Sequence, residues 1–297
     1  MNVETTAIRH SKHRVPVAAA ASRRLGRGSV GFLASLGGVA LLTLAPGNAA
    51  WAQTAPSLGA VGPFALTAST LANSGSTTIV GDVCFTTGPG TALLLTGTST
   101  TPCTGTNSTP GTVLGDETTA LGEINGQPCT DIAGAVTLDM FMGGIIPPGC
   151  YNFSGAITTT GSATVVLSGN GIYIFRSATT LSTGANSTFT LINGAAAGNV
   201  YWAPVSATTL GADSSIVGTI IDEAGITLEN NVNLQGRALA SNATVTSTGD
   251  TINLPSTPPP VFPAPTLSQW ALILFGGLLG IAGFAAARRP LRSIIRR

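Results

Sequence analysis

Ser154-Gly-Ala-Ile-Thr-Thr-Thr-Gly161, Ser177-Ala-Thr-Thr-Leu-Ser-Thr-Gly184, Ser206-Ala-Thr-Thr-Leu-Gly211, Ala224-Gly-Ile-Thr-Leu228 and Ser241-Asn-Ala-Thr-Val-Thr-Ser-Thr-Gly249 open five successive units of one pattern. Their starts lie 23, 29, 18 and 17 residues apart. Apolar pulses recur between them: Ile172-Tyr-Ile-Phe175, Val200-Tyr-Trp202, Ile216 with Ile220 and Ile221, and Val232 with Leu234. Val, Ile and Thr favour extended chain, and each piece is too short to form a sheet alone. Stacking the pieces pairs every strand with the one above and buries a continuous apolar column. Recurrence at this period therefore predicts a mainly β solenoid, with insertions such as Asn193–Gly198 in the longer units. A β-sandwich also has short strands and turns, but its strands need not repeat a phrase such as Ser-Ala-Thr-Thr-Leu.

Upstream of the repeats a single short helix is expected. Asp116 and Glu117 supply acids to a first turn, Ala120, Leu121 and Ile124 form an apolar stripe, and Gly126 with Pro128 stops it. The four cysteines, Cys84, Cys103, Cys129 and Cys150, all lie in this half. An even number in an exported chain favours two disulfides. Of the three possible pairings, Cys84–Cys103 with Cys129–Cys150 is preferred because each closes a local loop. A four-cysteine zinc site is the rival; the spacing contains no CxxC, so no metal or other cofactor is expected.

Charge narrows the function classes. Only 8% of residues are charged, about a third of the usual share. Residues 53–254 hold two bases, Arg176 and Arg237, against eleven acids, a formal charge of −9. Such a region has no grip on a phosphate backbone, so nucleic acid is excluded as a partner. The two histidines, His10 and His13, precede it, which removes His-dependent nucleophilic catalysis and His metal sites. Asp222 and Glu223, with Arg237, are the candidates in the repeats for the clustered acids and base of a lyase or hydrolase. Adjacent residues of an extended strand face opposite ways, so they make a poor carboxylate pair for a lyase or hydrolase. Arg237 is expected to pair with an acid or to cover a coil end. The chain is not expected to be an enzyme.

The two ends are targeting devices. Residues 1–52 have the form of a signal peptide, with bases up to Arg27, an apolar run from Gly31 to Leu44, and Ala50-x-Ala52 as a cleavage pattern. Ser22-Arg23-Arg24-Leu25 followed by Gly26 leaves the export route open between general secretion and a twin-arginine system. Residues 255–265 form a proline-rich spacer that can stand roughly 30 Å tall. Residues 270–287 are uncharged and just long enough for a transmembrane helix, with Arg288 and Arg289 placing the last residues in the cytoplasm. Pro265, Thr266, Leu267, Ser268 and Trp270 precede or open that helix. Together with the helix and the arginines, they resemble the IPTL-type C-terminal sorting signal of Gram-negative bacteria, with Ala264 in place of the usual isoleucine. The resemblance implies a membrane sorting enzyme as partner. It also implies export across the inner membrane, anchoring on its periplasmic side, and a final place on the cell surface or outside the cell.

The central domain, residues 53–254, resembles over roughly residues 57–254 the ice-binding-protein-like family of microbial β-solenoids. The resemblance rests on Leu58-Gly59, Phe64-Ala65-Leu66, Thr78-Ile-Val-Gly-Asp82 and Pro147-Pro-Gly-Cys-Tyr-Asn-Phe153. It continues through Gly171–Phe175, Leu191–Gly194, Asn199–Trp202, Gly218–Ile220 and Gln235–Ala240. It implies a right-handed, discontinuous solenoid of triangular section with one helix alongside. The segment from Cys84 to Cys103 and the short helix depart from the family's usual form.

In such a solenoid equivalent residues on successive coils lie about 4.8 Å apart and alternate residues of a strand share a face. Rows of Thr then give a flat array whose methyls order water and whose hydroxyls anchor it, with ice or an ice-like water surface as the ligand. Candidates are Thr158, Thr160, Thr179, Thr183, Asn186, Thr208, Thr227, Thr244, Thr246, Thr248 and Thr251. The family's pattern of Thr, Ala or Gly, any residue, then Thr or Asn is matched at Thr183–Asn186 and Thr248–Thr251. It is matched outside the repeats at Thr104–Asn107. Asp213, Glu229 and Asn230 are expected to interrupt the array. The competing class is an anchored surface or matrix adhesin, whose solenoid is a stalk or a sugar-binding face.

Overall fold

The computed structural model describes residues 53–91, 93–100, 103, 112–255 and 277. Among the described residues twenty strands join in one continuous sheet whose pairings are all parallel. The register sorts them into three ladders that enclose one core. The first runs through Thr130–Ile132, Gly149–Phe153, Tyr173–Ser177 and Val200–Pro204. It continues into the second half of Ser215–Ile221, the middle of Asn233–Thr248, the start of Phe64–Ser74, Asp82–Thr87 and Ser99–Thr100. The second ladder stacks Val136–Thr137, Ile157–Thr158, Leu181–Ser182, Thr208–Leu210 and Ile226–Leu228. It is completed by the ends of Asn233–Thr248 and Phe64–Ser74. The third contains Ile145–Ile146, Thr164–Ser168, Thr188–Ile192, the starts of Ser215–Ile221 and Asn233–Thr248, Thr251–Asn253, Thr78–Val80 and Leu94–Leu95.

The stack does not follow chain order. Phe64–Ser74 lies on the last coil of the chain, with Leu66 opposite Ala238 and Leu71 opposite Val245. Coils then grow through Asp82–Thr87 to Ser99–Thr100, and the helix α1, Val113–Gly126, leads to the first repeat coil. The Thr112 hydroxyl caps α1 by accepting from Gly115 N at 3.0 Å. That satisfies one of the donors a helix start leaves open.

Alternation decides what is inside. Tyr151, Phe175 and Trp202 occupy one inward row of the first ladder, with ring centroids 5.6 and 4.3 Å apart and near-parallel planes. Ile220, Ala238, Leu66 and Val83 continue that row, so aliphatic side chains take over from rings along the stack. The Trp202 indole donates to Val217 O at 2.8 Å, which satisfies its one polar group in the core. Disulfides join Cys84 to Cys103 and Cys129 to Cys150, the preferred pairing, each closing a loop of about twenty residues. Loops of that length are worth about 3 kcal/mol in chain-entropy terms.

Among the described residues no helix is long and apolar enough to cross a membrane. The expected signal peptide, the proline-rich spacer (Pro255 apart), the match at Thr104 and the expected C-terminal span (Gly277 apart) lie outside the described residues.

Candidate functional site

Each ladder has an outer face, and the three differ in what lies over them. The first is covered. Cys150, Ile174, Tyr201, Ile221, Leu239 and Cys84 on its outside pack with Val113, Ala120 and Ile124 of α1 in a second buried cluster. The third is broken. Thr164, Thr188, Ser215, Asn233, Thr251 and Thr78 form an outward row there. However, Thr188–Ile192 and Ser215–Ile221 meet at one residue pair only, and the insertion with the short 3-10 turn Ala197–Asn199 follows. Ile145, Ile192, Val80 and Leu94 stand 40–60% exposed on the same ladder.

The second ladder is neither covered nor broken. Thr137, Thr158, Ser182, Thr209, Thr227, Thr246 and Ala72 form its central outward row, one per coil. Thr180, Thr244 and Thr70 lie on one flank, Thr160, Thr248 and Ser74 on the other. Neighbours along a row are about 4.8 Å apart, and rows about 6.7 Å. Among the described residues the hydroxyls of Ser182, Thr209, Thr227 and Thr246 have no protein partner and are open to water. Those at the first-coil end are engaged: Thr158 donates to Val136 O at 2.9 Å, and Thr160 donates through N and Oγ1 to Asp139 at 3.0 and 2.8 Å. Desolvation, the largest single influence, raises the Asp139 carboxyl, but the two bonds from Thr160 and one from its own backbone together outweigh it and hold it below the usual range.

Two candidates point the other way. Thr208 is fully buried, and its hydroxyl donates to Asp222 Oδ2 at 2.6 Å. Thr183 is 5% exposed, and its Oγ1 accepts from Gly211 N at 2.9 Å. The cause is phase. Leu181 pairs with Thr208 and Ser182 with Thr209, so the phrase Ser-Ala-Thr-Thr-Leu enters the two coils two residues out of step. A two-residue offset keeps the in–out alternation, so Leu in one coil meets Thr in the next.

The Thr-Gly-x-Asn match is a corner device. Gly184 passes so close to the coil before it that a Cβ would sit 2.7 Å from the backbone of Thr160 and Gly161. Asn186 takes φ +59°, as do Ser162, Asp213 and Asn231 at +57 to +62° in neighbouring coils. Asn and Asp tolerate this left-handed conformation best among residues with a side chain. Asp213 and Asn231 join at 2.7 Å along that corner, and exposed Asn230 lies in the same turn, outside the array. Only Glu229 stands on its flank, where it accepts from Ala212 N at 3.0 Å. In the second match Thr248 is on the second ladder, Gly249 is the left-handed residue at φ +68°, and Thr251 lies on the third ladder. The two matches are therefore out of phase with each other.

The structure thus brings Thr158, Thr227 and Thr246 into the central row and Thr160, Thr244 and Thr248 beside it. Thr179 sits exposed at the turn before the ladder, Asn186 at the far corner, Thr251 on another face, and Thr183 and Thr208 inside. Thr137, Ser182 and Thr209 belong to the central row and escaped the sequence reading. An offset of one from the inward apolar residues would have found them, since Val136, Leu181 and Leu210 flank them directly.

Buried carboxyls hold the corners. Asp222 Oδ1 accepts from Ala224 N at 2.8 Å and Gly225 N at 3.2 Å. Asp250 accepts from Val232 N, Thr248 N and Ser247 Oγ at 2.7, 2.7 and 2.8 Å. Burial pushes both carboxyls up, against these bonds. Glu223 next to Asp222 is exposed, so the two form no acid–base pair. Among the described residues Arg237 pairs with no acid; it donates to Gly62 O at 2.9 and 3.3 Å and to Thr219 Oγ1 at 3.3 Å. No group of side chains fit to hold a metal occurs among the described residues.

Comparison with known proteins fits this geometry. An ice-binding protein of Nostoc sp. (strain HG1) is 38% identical over 109 residues, 35% of this chain and 40% of that protein. One of Flavobacterium frigoris (strain PS1) is 30% identical over 146 residues, 48% and 51% of the two chains. The chain thus aligns with about half or less of these relatives. The crystal structure of an ice-binding protein from an Antarctic biological consortium superposes with TM-score 0.59 at 29% identity, over 69% of this chain and 93% of the other. That of the Antarctic ascomycete Antarctomyces psychrotrophicus gives 0.60 at 28% identity, over 69% and 100%. The IPTL-CTERM motif matches residues 262–289. The Ice-binding-like family profile matches residues 65–253, which spans most of the chain and all three ladders, and the chain belongs to that non-enzymatic family.

Proposed function

We propose that the protein binds ice through the outer face of the second ladder. The observation that carries this is the row Thr137, Thr158, Ser182, Thr209, Thr227 and Thr246, held in unbroken register on the one ladder that neither α1 nor an insertion obstructs. A rigid parallel sheet fixes methyl and hydroxyl positions in two dimensions before ice is met. Ordering cost is therefore low, and binding grows with the number of matched positions rather than with any one strong contact. The likeness to proteins named for ice binding supports the same ligand.

The rest of the proposal concerns place. The winding is right-handed and triangular, as the family resemblance implies. The chain is exported by residues 1–52, anchored by the apolar segment 270–287 and handled by a sorting enzyme that reads Pro265 to Trp270. The motif match over residues 262–289 supports this. A surface-held domain of this kind fastens a cell to ice, which joins ice binding to adhesion. The test is growth of a single ice crystal in a solution of the purified full chain. Concentration of the protein in the ice and faceting of the crystal are expected. A protein that is rejected by the ice and leaves the crystal a round disc leaves the non-ice adhesin in its place.

A further inference from the structure

The second ladder is continuous in space but not in the chain. Each repeat coil is tied to the next by its own turn, whereas Phe64–Ser74 meets Asn233–Thr248 with partners more than 170 positions apart. The register of that seam also changes within it. Leu66, Thr67 and Ala68 pair with Ala238, Leu239 and Ala240, and Thr70 pairs with Thr244. The stretch Ser241-Asn242-Ala243 thus stands opposite Ser69 alone, at the corner between the first and second ladders. A slip of two residues would keep every side chain on its proper face, so hydrophobic patterning alone does not forbid it. Such a slip would set Ser74 opposite Thr246 instead of Thr248.

Glu117 of α1 lies at this corner and is 2% exposed. Its Oε1 accepts from Ser241 N at 3.0 Å, and its Oε2 accepts from Ser241 Oγ at 2.5 Å and from Thr67 Oγ1 at 2.8 Å. The Thr67 hydroxyl in turn accepts from Ala240 N at 3.1 Å. One carboxyl group therefore binds both strands of the seam at the point where their register changes, and it binds the extra stretch through both donors of Ser241. We infer that Glu117 is the register lock of the seam: a positioning residue that aligns Thr70, Ala72 and Ser74 with Thr244, Thr246 and Thr248. Its consequence for ice rests on the function proposed above, but the lock itself does not.

The test reads register directly, without ice. Ser74 Oγ and Thr248 Oγ1 are 3.1 Å apart on the outer face, so the pair Ser74→Cys with Thr248→Cys reports the native register. The pair Ser74→Cys with Thr246→Cys reports the slipped one. In the full chain under mild oxidation the first pair should cross-link and the second should not. Adding Glu117→Ala should lower the first cross-link about tenfold, since bonds to a charged group are removed, and should raise the second. Glu117→Asp, one methylene short of reaching both strands, should act in the same direction and guards against a variant that does not fold. Glu117→Gln keeps an acceptor for Ser241 N and should restore the first cross-link. Unchanged cross-linking in both Glu117→Ala and Glu117→Asp would overturn the proposal. So would loss of the native cross-link in the Gln and Ala variants alike.

Discussion

Thr208 and Thr209 are neighbours in one strand, yet they belong to different regions of the molecule. Thr208 is in the row of core-facing hydroxyls that hold the corners of the coils together; Thr209 is in the row that meets solvent. Thr183 with Gly211, Thr159 with Ser187, and Thr77 with Ser247 extend the inner set. Thr227 and Thr246 extend the outer one. Identical side chains take opposite roles because a strand turns every second residue inward. A hydroxyl inside must be matched by an acceptor, and its loss strands a buried group. A hydroxyl outside is matched by water, and its loss changes only the surface.

The comparison can be broken most forcefully at Asp222. Asp222→Ala leaves Thr208 Oγ1, Ala224 N and Gly225 N without their acceptor, and the domain should lose about 3 kcal/mol in urea unfolding. A loss of a few tenths would mean that these corners are held by something else. Tyrosine at two threonines gives the next contrast. Thr183→Tyr forces a ring into a packed corner and should cost about 2 kcal/mol or more, whereas Thr248→Tyr should stay within about 0.5 kcal/mol. Equal losses would erase the distinction between inside and outside. A finer cut is Thr208→Val, expected to cost about 1–2 kcal/mol, against Thr209→Val, expected to be nearly silent in stability.

The smallest effect is that of pH. Burial raises the carboxyls of Glu117, Asp222 and Asp250 above their unfolded values. A raised carboxyl keeps its proton in the folded chain at pH values where the unfolded chain has lost it. Its contribution to stability is therefore full below the unfolded values, 3.8 to 4.5, and is lost as pH rises through the folded ones. Asp139, held low at the surface, acts in the opposite sense and weakly, because it is screened by solvent. The urea midpoint should accordingly be higher near about pH 4 than near about pH 7.5. A midpoint that only climbs with pH would contradict this assignment.

Much of the fold was legible in the sequence. The repeat spacing, the apolar pulses, the helix stripe and the local cysteine pairs each rest on nearest-neighbour physics, and each reappears in the fold. The site was legible only in part. Recurrence of Ser-Ala-Thr-Thr-Leu suggests that equal letters hold equal places, but Leu181 faces Thr208, so the phrase marks a strand without fixing its phase. The phase is set by how many residues each corner needs, and corners depend on left-handed positions such as Asn186 and Asp213 and on close approaches such as Gly184. The order of stacking was beyond sequence reading for a different reason. The pairing of Leu71 with Val245 closes a long loop that no local pattern announces.

The central claim is that one face of three meets ice, and bulky substitution on each open face tests it most directly. Thr209→Tyr and Thr227→Tyr place a ring in the central row of the second ladder, and Thr188→Tyr places one on the third. Faceting of a growing ice crystal by the purified full chain should be lost in the first two variants and kept in the last, with urea midpoints unchanged throughout. Faceting that survives Thr209→Tyr and Thr227→Tyr but fails in Thr188→Tyr would place the ice-binding face on the third ladder and contradict the account.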